Sequence, residues 1–184
     1  TGVLPVEGIR DRILSGTDVV MGGDGRNDLV GHGTHVSGTI LDCTQGLDVK
    51  ILPVGIFGNN PYTSTLNICT GLEYAIGQAP DVINMSLGGP ITQEDSLKQA
   101  LIREAISSGI TVVVSAGNGD DAGIPQDTAG IMPAAMKECI VVGAVDQNHT
   151  IASFSNYGDS VDVCAPGVNI TSYSIRPEGL ESMD

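Results

Sequence analysis

Two histidines three positions apart, His32 and His35 in Gly31-His32-Gly33-Thr34-His35-Val36-Ser37-Gly38, are the first residues in this chain with chemical potential. On a helix that spacing puts both on one face, as two metal ligands require. A zinc hydrolase needs more: His149 is remote and no His-Glu-x-x-His glutamate is present, so metal is the weakest reading. A bare His-x-x-His fits helix-start and core histidines better. Gly31 and Gly33 change the balance for His32, because side-chain-free neighbours let the ring stand exposed at a helix N-terminus with room for a substrate beside it. An imidazole titrating near neutrality suits a general base. The other residue of interest is Asn118, in Ala116-Gly117-Asn118-Gly119. An Asn between glycines is ordinarily a turn residue, so its interest rests on its place at the end of an apolar run.

The elements that must position these groups are legible as an alternation. Short β-branched runs predict strands at 49–56, 81–86, 110–116, 140–145 and 161–164. Helices are expected over 32–41, 63–76 and 94–108, the last with Leu97, Ala100, Leu101 and Ile106 at helical intervals and Gly109 as its stop. Helices alternating with nearly all-apolar strands predict an α/β fold with a parallel sheet covered on both faces and ligands outside the strands' carboxyl ends. Two such places end in small residues: Asp81-Val82-Ile83-Asn84-Met85 leads into Ser86-Leu87-Gly88-Gly89, and Thr111-Val112-Val113-Val114 into Ser115-Ala116-Gly117-Asn118. Taken alone, either is an ordinary strand-to-turn exit.

Composition narrows the classes. The 184 residues, 41% hydrophobic, fit one globular unit, and 25 glycines with no Trp point to tight turns and an aliphatic core. A formal charge of −14 with eight Lys and Arg excludes nucleic acid as a partner and disfavours an anionic membrane. No apolar run approaches the roughly 20 residues of a membrane span. The opening at Thr1 carries no leader and leaves open whether the parent protein has one. Cys43, Cys69, Cys139 and Cys164 form no CxxC pair and are either two disulfides or four thiols, with Cys139 and Cys164 in apolar runs where a buried thiol acts as a small hydrophobe.

The stretch from Gly31 to Thr39 resembles the histidine signature of the subtilisin family. Five further blocks follow in the family's order: 81–90 resembles its substrate-binding strand, 113–118 the segment with its oxyanion-hole asparagine, and Val142-Gly143-Ala144-Val145, Phe154-Ser155-Asn156-Tyr157-Gly158 and Ala165-Pro166-Gly167 match as well. The resemblance implies a subtilisin-like three-layer α/β fold with a central, mostly parallel sheet flanked by helices. It further implies a secreted serine endopeptidase using an Asp/His/Ser triad. By position, His32 would be the general base and His35 structural. Asn118 would donate to the oxyanion. The backbone of Ser86, Leu87 and Gly88 would pair with extended polypeptide substrate, and Ser115, Ala116 and Gly117 would wall the primary specificity pocket. Pro133 matches a position that is often cis.

The family's aspartate precedes a Thr/Ser-Gly pair, and its serine lies in Gly-Thr-Ser-Met-Ala. The chain opens with Thr1-Gly2 and closes with Glu181-Ser182-Met183-Asp184, so residues 1–184 are expected to be a peptidase domain incomplete at both ends and inactive alone. Ser182 lacks the block that would make it a nucleophile. Asp24 and Asp28, in a Gly- and Asn-rich loop, are expected to be solvated turn residues, as are Asp120 and Asp121, whose alternative role is a bias towards basic substrates. The resemblance implies no cofactor for catalysis. The calcium-binding insertion of many members is missing from the short segment 40–49, with structural calcium elsewhere in the parent left open. A propeptide or protein inhibitor and a monomeric state are also compatible with the family. Sequons occur at Asn84, Asn148 and Asn169, the first expected on a buried strand and unmodified. The alternative reading is a non-catalytic subtilisin-like peptide-binding or scaffold domain.

Overall fold

The computed structural model describes residues 1–176 and 180–183. It divides the chain into two units, Thr1–Ala75 with Thr171–Ser182, and Ile76–Ile170 with Met183–Asp184. In the first, β1 (Thr17–Asp18) meets the distant chain in parallel, and α1 (His32–Cys43) begins at the predicted residue. The partner of β1 is β2 (Val54–Gly55), in the register Thr17↔Val54 and Asp18↔Gly55, with one further bridge at Ile13↔Ile51. Most of the predicted 49–56 strand thus forms no ladder. α2 (Thr65–Gly77) follows, its first turn capped where the Asn67 N–H donates to Ser64 Oγ at 3.1 Å. It buries Ile68, Cys69, Leu72 and Ala75 at helical spacing. Val3, Ile9, Ile13 and Leu41 form a core cluster with Ile51 and Tyr173 packed on it.

The second unit carries the sheet. In chain order it contains β3 (Val82–Met85), β4 (Gly89–Pro90), α3 (Asp95–Ser107), β5 (Thr111–Ser115), β6 (Ile131–Met132), β7 (Ile140–Val145) and β8 (Val163–Pro166). The order β3-β5-β7-β8 is parallel throughout, with α3 as the crossover from β3 to β5. β4 and β6 form a separate antiparallel pair, ended by the cis Met132–Pro133 peptide. Val112, Val114 and Val141 are at most 2% exposed, each contributing about 1.5–3 kcal/mol of burial.

Coverage of both sheet faces is less complete than the apolar runs suggest. The strands β5 and β7 alternate buried with half-buried positions after an exposed first residue, and every residue of β8 is exposed. The buried stripe of α3 also differs from the predicted one. It is Asp95, Lys98, Leu101, Ile102 and Ala105, while Leu97 and Ala100 face solvent. The reason is an ion pair: Lys98 Nζ lies 2.7 Å from Asp95 Oδ1, and the other carboxylate oxygen accepts the Thr92 N–H at 2.7 Å, so both charges are satisfied under cover. Gly109 stops the helix as expected. At φ 88° it lets the Gly109 N–H reach the Ile106 carbonyl and the Ile110 N–H that of Ala105. The chain finishes with β9 (Ile170–Tyr173) beside β10 (Leu180–Met183).

Candidate active site

The first unit holds the histidine. Gly31, at φ 99°, turns the chain into α1 and His32 is the helix's first residue, exposed. Asp28 fixes this turn. Its Oδ1 accepts the N–H groups of Val30 (3.1 Å) and Gly31 (2.8 Å), and its Oδ2 accepts the N–H and the hydroxyl of Thr34 (2.8 and 2.7 Å). A carboxylate at a helix N-terminus also meets the positive end of the helix dipole. At the other end, the Arg12 guanidinium donates to the carbonyls of Leu41 (3.0 Å) and Thr44 (3.2 Å), closing α1 with the opposite charge. Asp28 is therefore buried, 3% exposed, and not the solvated turn residue its neighbours suggest. Asp24 is half-buried and bonds Ser15 and Arg26; the Arg26 backbone N–H holds its carboxyl below the usual range.

The opening residues complete the frame. Thr1 Oγ1 accepts the Gly33 N–H at 2.8 Å, and the Leu4 N–H donates to Thr34 Oγ1 at 2.9 Å. A Cβ on Gly33 would collide with the Gly2 carbonyl oxygen, so this glycine serves the packing of the opening segment and not space for a substrate. Partial desolvation lowers the His32 pKa from its ordinary 6.5; Asp28 opposes that and His35 adds to it. A lowered value favours the neutral imidazole. His35 is buried, and its carbonyl accepts the hydroxyls of Thr39 and Ser172.

The second unit holds the other candidates. Met85 pairs with Val114 across β3 and β5, so Ser86-Leu87-Gly88 and Ser115-Ala116-Gly117 leave the same carboxyl edge side by side. Residues 86–88 lie between β3 and β4, outside both strands, and β3 is an edge of its sheet. Ala116 is buried, Gly117 takes φ 98°, and Asn118 is exposed. Among the described residues the Asn118 carboxamide has no hydrogen-bond partner in the protein. What fastens this loop is Asn156, absent from the site as read from sequence. Its block Phe154–Gly158 drew notice only as a family match, since nothing local marks its side chain as an anchor.

The family model for the subtilase family matches residues 11–183. The chain belongs to the subtilases. It is 40% identical to subtilisin DY of Bacillus licheniformis over 173 residues, 90% of this chain and 61% of that protein. It is 39% identical to the extracellular serine proteinase of Thermus sp. (strain Rt41A) over 165 residues, 88% of this chain and 38% of that protein. A crystal structure of a cold adapted subtilisin-like serine proteinase superposes with TM-score 0.87 at 31% identity, covering the whole chain and 66% of its own. This subtilase chain thus spans about three fifths of the length of subtilisin DY, and the three-layer α/β fold expected from its motifs is that of the family.

The side chains of this subtilase add several smaller observations. No disulfide joins Cys43, Cys69, Cys139 or Cys164 among the described residues. Cys139 is buried as expected and burial pushes its pKa up to about 11, whereas Cys164 lies exposed on β8. Among the described residues no group of three or more His, Cys, Asp or Glu converges as a metal site. Asp120 organises its own loop, accepting the N–H groups of Ala122 and Ile124, as a turn residue does. Asn84 is exposed on β3 rather than buried, its amide donating to the hydroxyl of Ser86 at 2.9 Å. Ser182 is exposed on β10.

Proposed function

We propose that the protein to which this chain belongs is a secreted serine endopeptidase that cleaves extended polypeptide without a catalytic cofactor. His32 acts as general base: it takes the proton of the attacking serine hydroxyl, then returns it to the leaving amine. The carbonyl oxygen of the scissile bond becomes an oxyanion as the tetrahedral intermediate forms, and the Asn118 carboxamide donates to it. Substrate lies along the 86–88 segment as an added strand, with 115–117 beside its side chain. The mechanism also requires a serine nucleophile and a carboxylate that orients His32.

The observation that carries this reading is an exposed Asn118 carboxamide, without a hydrogen-bond partner among the described residues, beside the strand exit at 86–88 on the same carboxyl edge of the sheet. Such an edge offers main-chain partners to peptide and one amide donor to a developing charge. The relatives support it: those named above are a subtilisin and serine proteinases, and one is named extracellular.

The test is digestion of an unstructured polypeptide by the secreted full-length protein, with products read by mass spectrometry and His32→Ala as control. Internal cleavage that disappears in the variant is expected. A folded full-length protein that binds the polypeptide without cleaving it would establish the scaffold alternative instead.

A further inference from the structure

Asn118 sits between two glycines in left-handed conformations, Gly117 at φ 98° and Gly119 at φ 83°. Neither flanking residue has a side chain to lock the loop, and among the described residues the Asn118 carboxamide has no hydrogen-bond partner that would. A donor aimed at a transition state must nonetheless be held in place before the charge develops. The holding groups converge in Asn156. Its Nδ2 donates to the Ala116 carbonyl at 2.9 Å, and its Oδ1 accepts the N–H groups of Gly119 at 3.0 Å and Gln126 at 2.8 Å. Its own N–H donates to the Gly117 carbonyl at 3.0 Å. The loop is thereby gripped on both sides of Asn118. A Cβ on Gly117 would come within 2.5 Å of Asn156 Nδ2, so the glycine and the asparagine require one another.

The anchor is itself anchored. Asn156 is 4% exposed, and its carbonyl accepts the Ser155 hydroxyl (3.2 Å), which in turn accepts the Ala144 N–H of β7 (2.9 Å). A neutral carboxamide suits the task chemically, because the loop presents one acceptor and two donors to it at once. An ionised carboxylate of the same shape would face the Ala116 carbonyl with no proton to give, and would bring a negative charge beside the place where an anion forms. A serine is too short to span the same partners.

We propose that Asn156 is the positioning residue of the oxyanion side, acting through Asn118; this rests on the endopeptidase reading above. The experiment is steady-state cleavage of a chromogenic peptide by the full-length protein carrying Asn156→Asp or Asn156→Ser, each alone and combined with Asn118→Ala, with folding checked by circular dichroism. Each single variant is expected to lower kcat about 10–100-fold with KM changed less than about twofold, as a displaced donor does. In the Asn118→Ala background the same changes should alter kcat by less than about twofold, because the group they displace is gone. An unchanged kcat in the single variants overturns the proposal, and so does an equal fold-loss in both backgrounds, which marks a purely structural role. An unchanged kcat in Asn118→Ala alone is a different failure: it removes the oxyanion assignment itself, and this inference with it.

Discussion

The two loops that carry His32 and Asn118 are held by anchors of different chemistry. Four hydrogen bonds of the Asp28 carboxylate fix the turn into α1, whereas the Asn118 loop hangs on the neutral carboxamide of Asn156. The difference follows from what each loop presents. The start of a helix offers only donors, so an acceptor-only carboxylate satisfies it and meets the helix dipole favourably. The 116–119 loop offers both kinds of group, and on the role proposed for Asn118 it must keep negative charge away from the forming oxyanion. In each case the residue proposed to react is exposed and the residue that aims it is buried.

Each anchor can be broken. The largest effect expected is on the oxyanion side, where Asn118→Ala in the full-length protein should lower kcat by about 10²–10³ with little change in KM, a range for which subtilisin itself is the source and which is carried over here by family. Next is Asp28→Ala, which strands three backbone donors and the Thr34 hydroxyl under cover; we expect a stability loss of about 2–3 kcal/mol by urea unfolding. A loss below about 0.5 kcal/mol would mean that the carboxylate is dispensable and the comparison mistaken. Gly33→Ala should cost about 1–3 kcal/mol through overpacking against the Gly2 carbonyl, and a neutral result would show that the opening segment does not lie against α1.

The smallest effect is electrostatic. Because the His32 pKa is lowered in the folded chain, the unfolded chain holds more protons just below pH 6.5. Stability therefore rises with pH through that window and falls on acidification. NMR titration of this chain should place the His32 midpoint below 6.5.

How much of this was legible beforehand depended on sequence distance. The β7 bounds and the start of α1 match expectation because a β-branched run and a glycine-flanked start are local signals. β1, β4 and β6 are two residues long, too short for any period. Leu97, Ala100, Leu101 and Ile106 stand at helical intervals, but of these only Leu101 lies in the buried stripe of α3, which also takes in the Asp95–Lys98 pair. Asp28 looked like a turn residue because its loop is rich in glycine and asparagine; it is buried against Thr34, whose hydroxyl oxygen also accepts the N–H of Leu4, 30 positions from Thr34 along the chain. The same holds for Asn156, whose partners at 116, 119 and 126 are at least thirty residues off. The residues proposed to react were visible as motifs, and those proposed to aim them were not.

The central claim is that His32 activates a serine in the protein that contains this chain. A fluorophosphonate, which reacts with an activated serine hydroxyl, tests it directly on the folded full-length protein. The account predicts stoichiometric labelling of the wild type and labelling slowed by orders of magnitude in His32→Ala. A folded wild type that does not label, or a His32→Ala variant that labels equally fast, would contradict it.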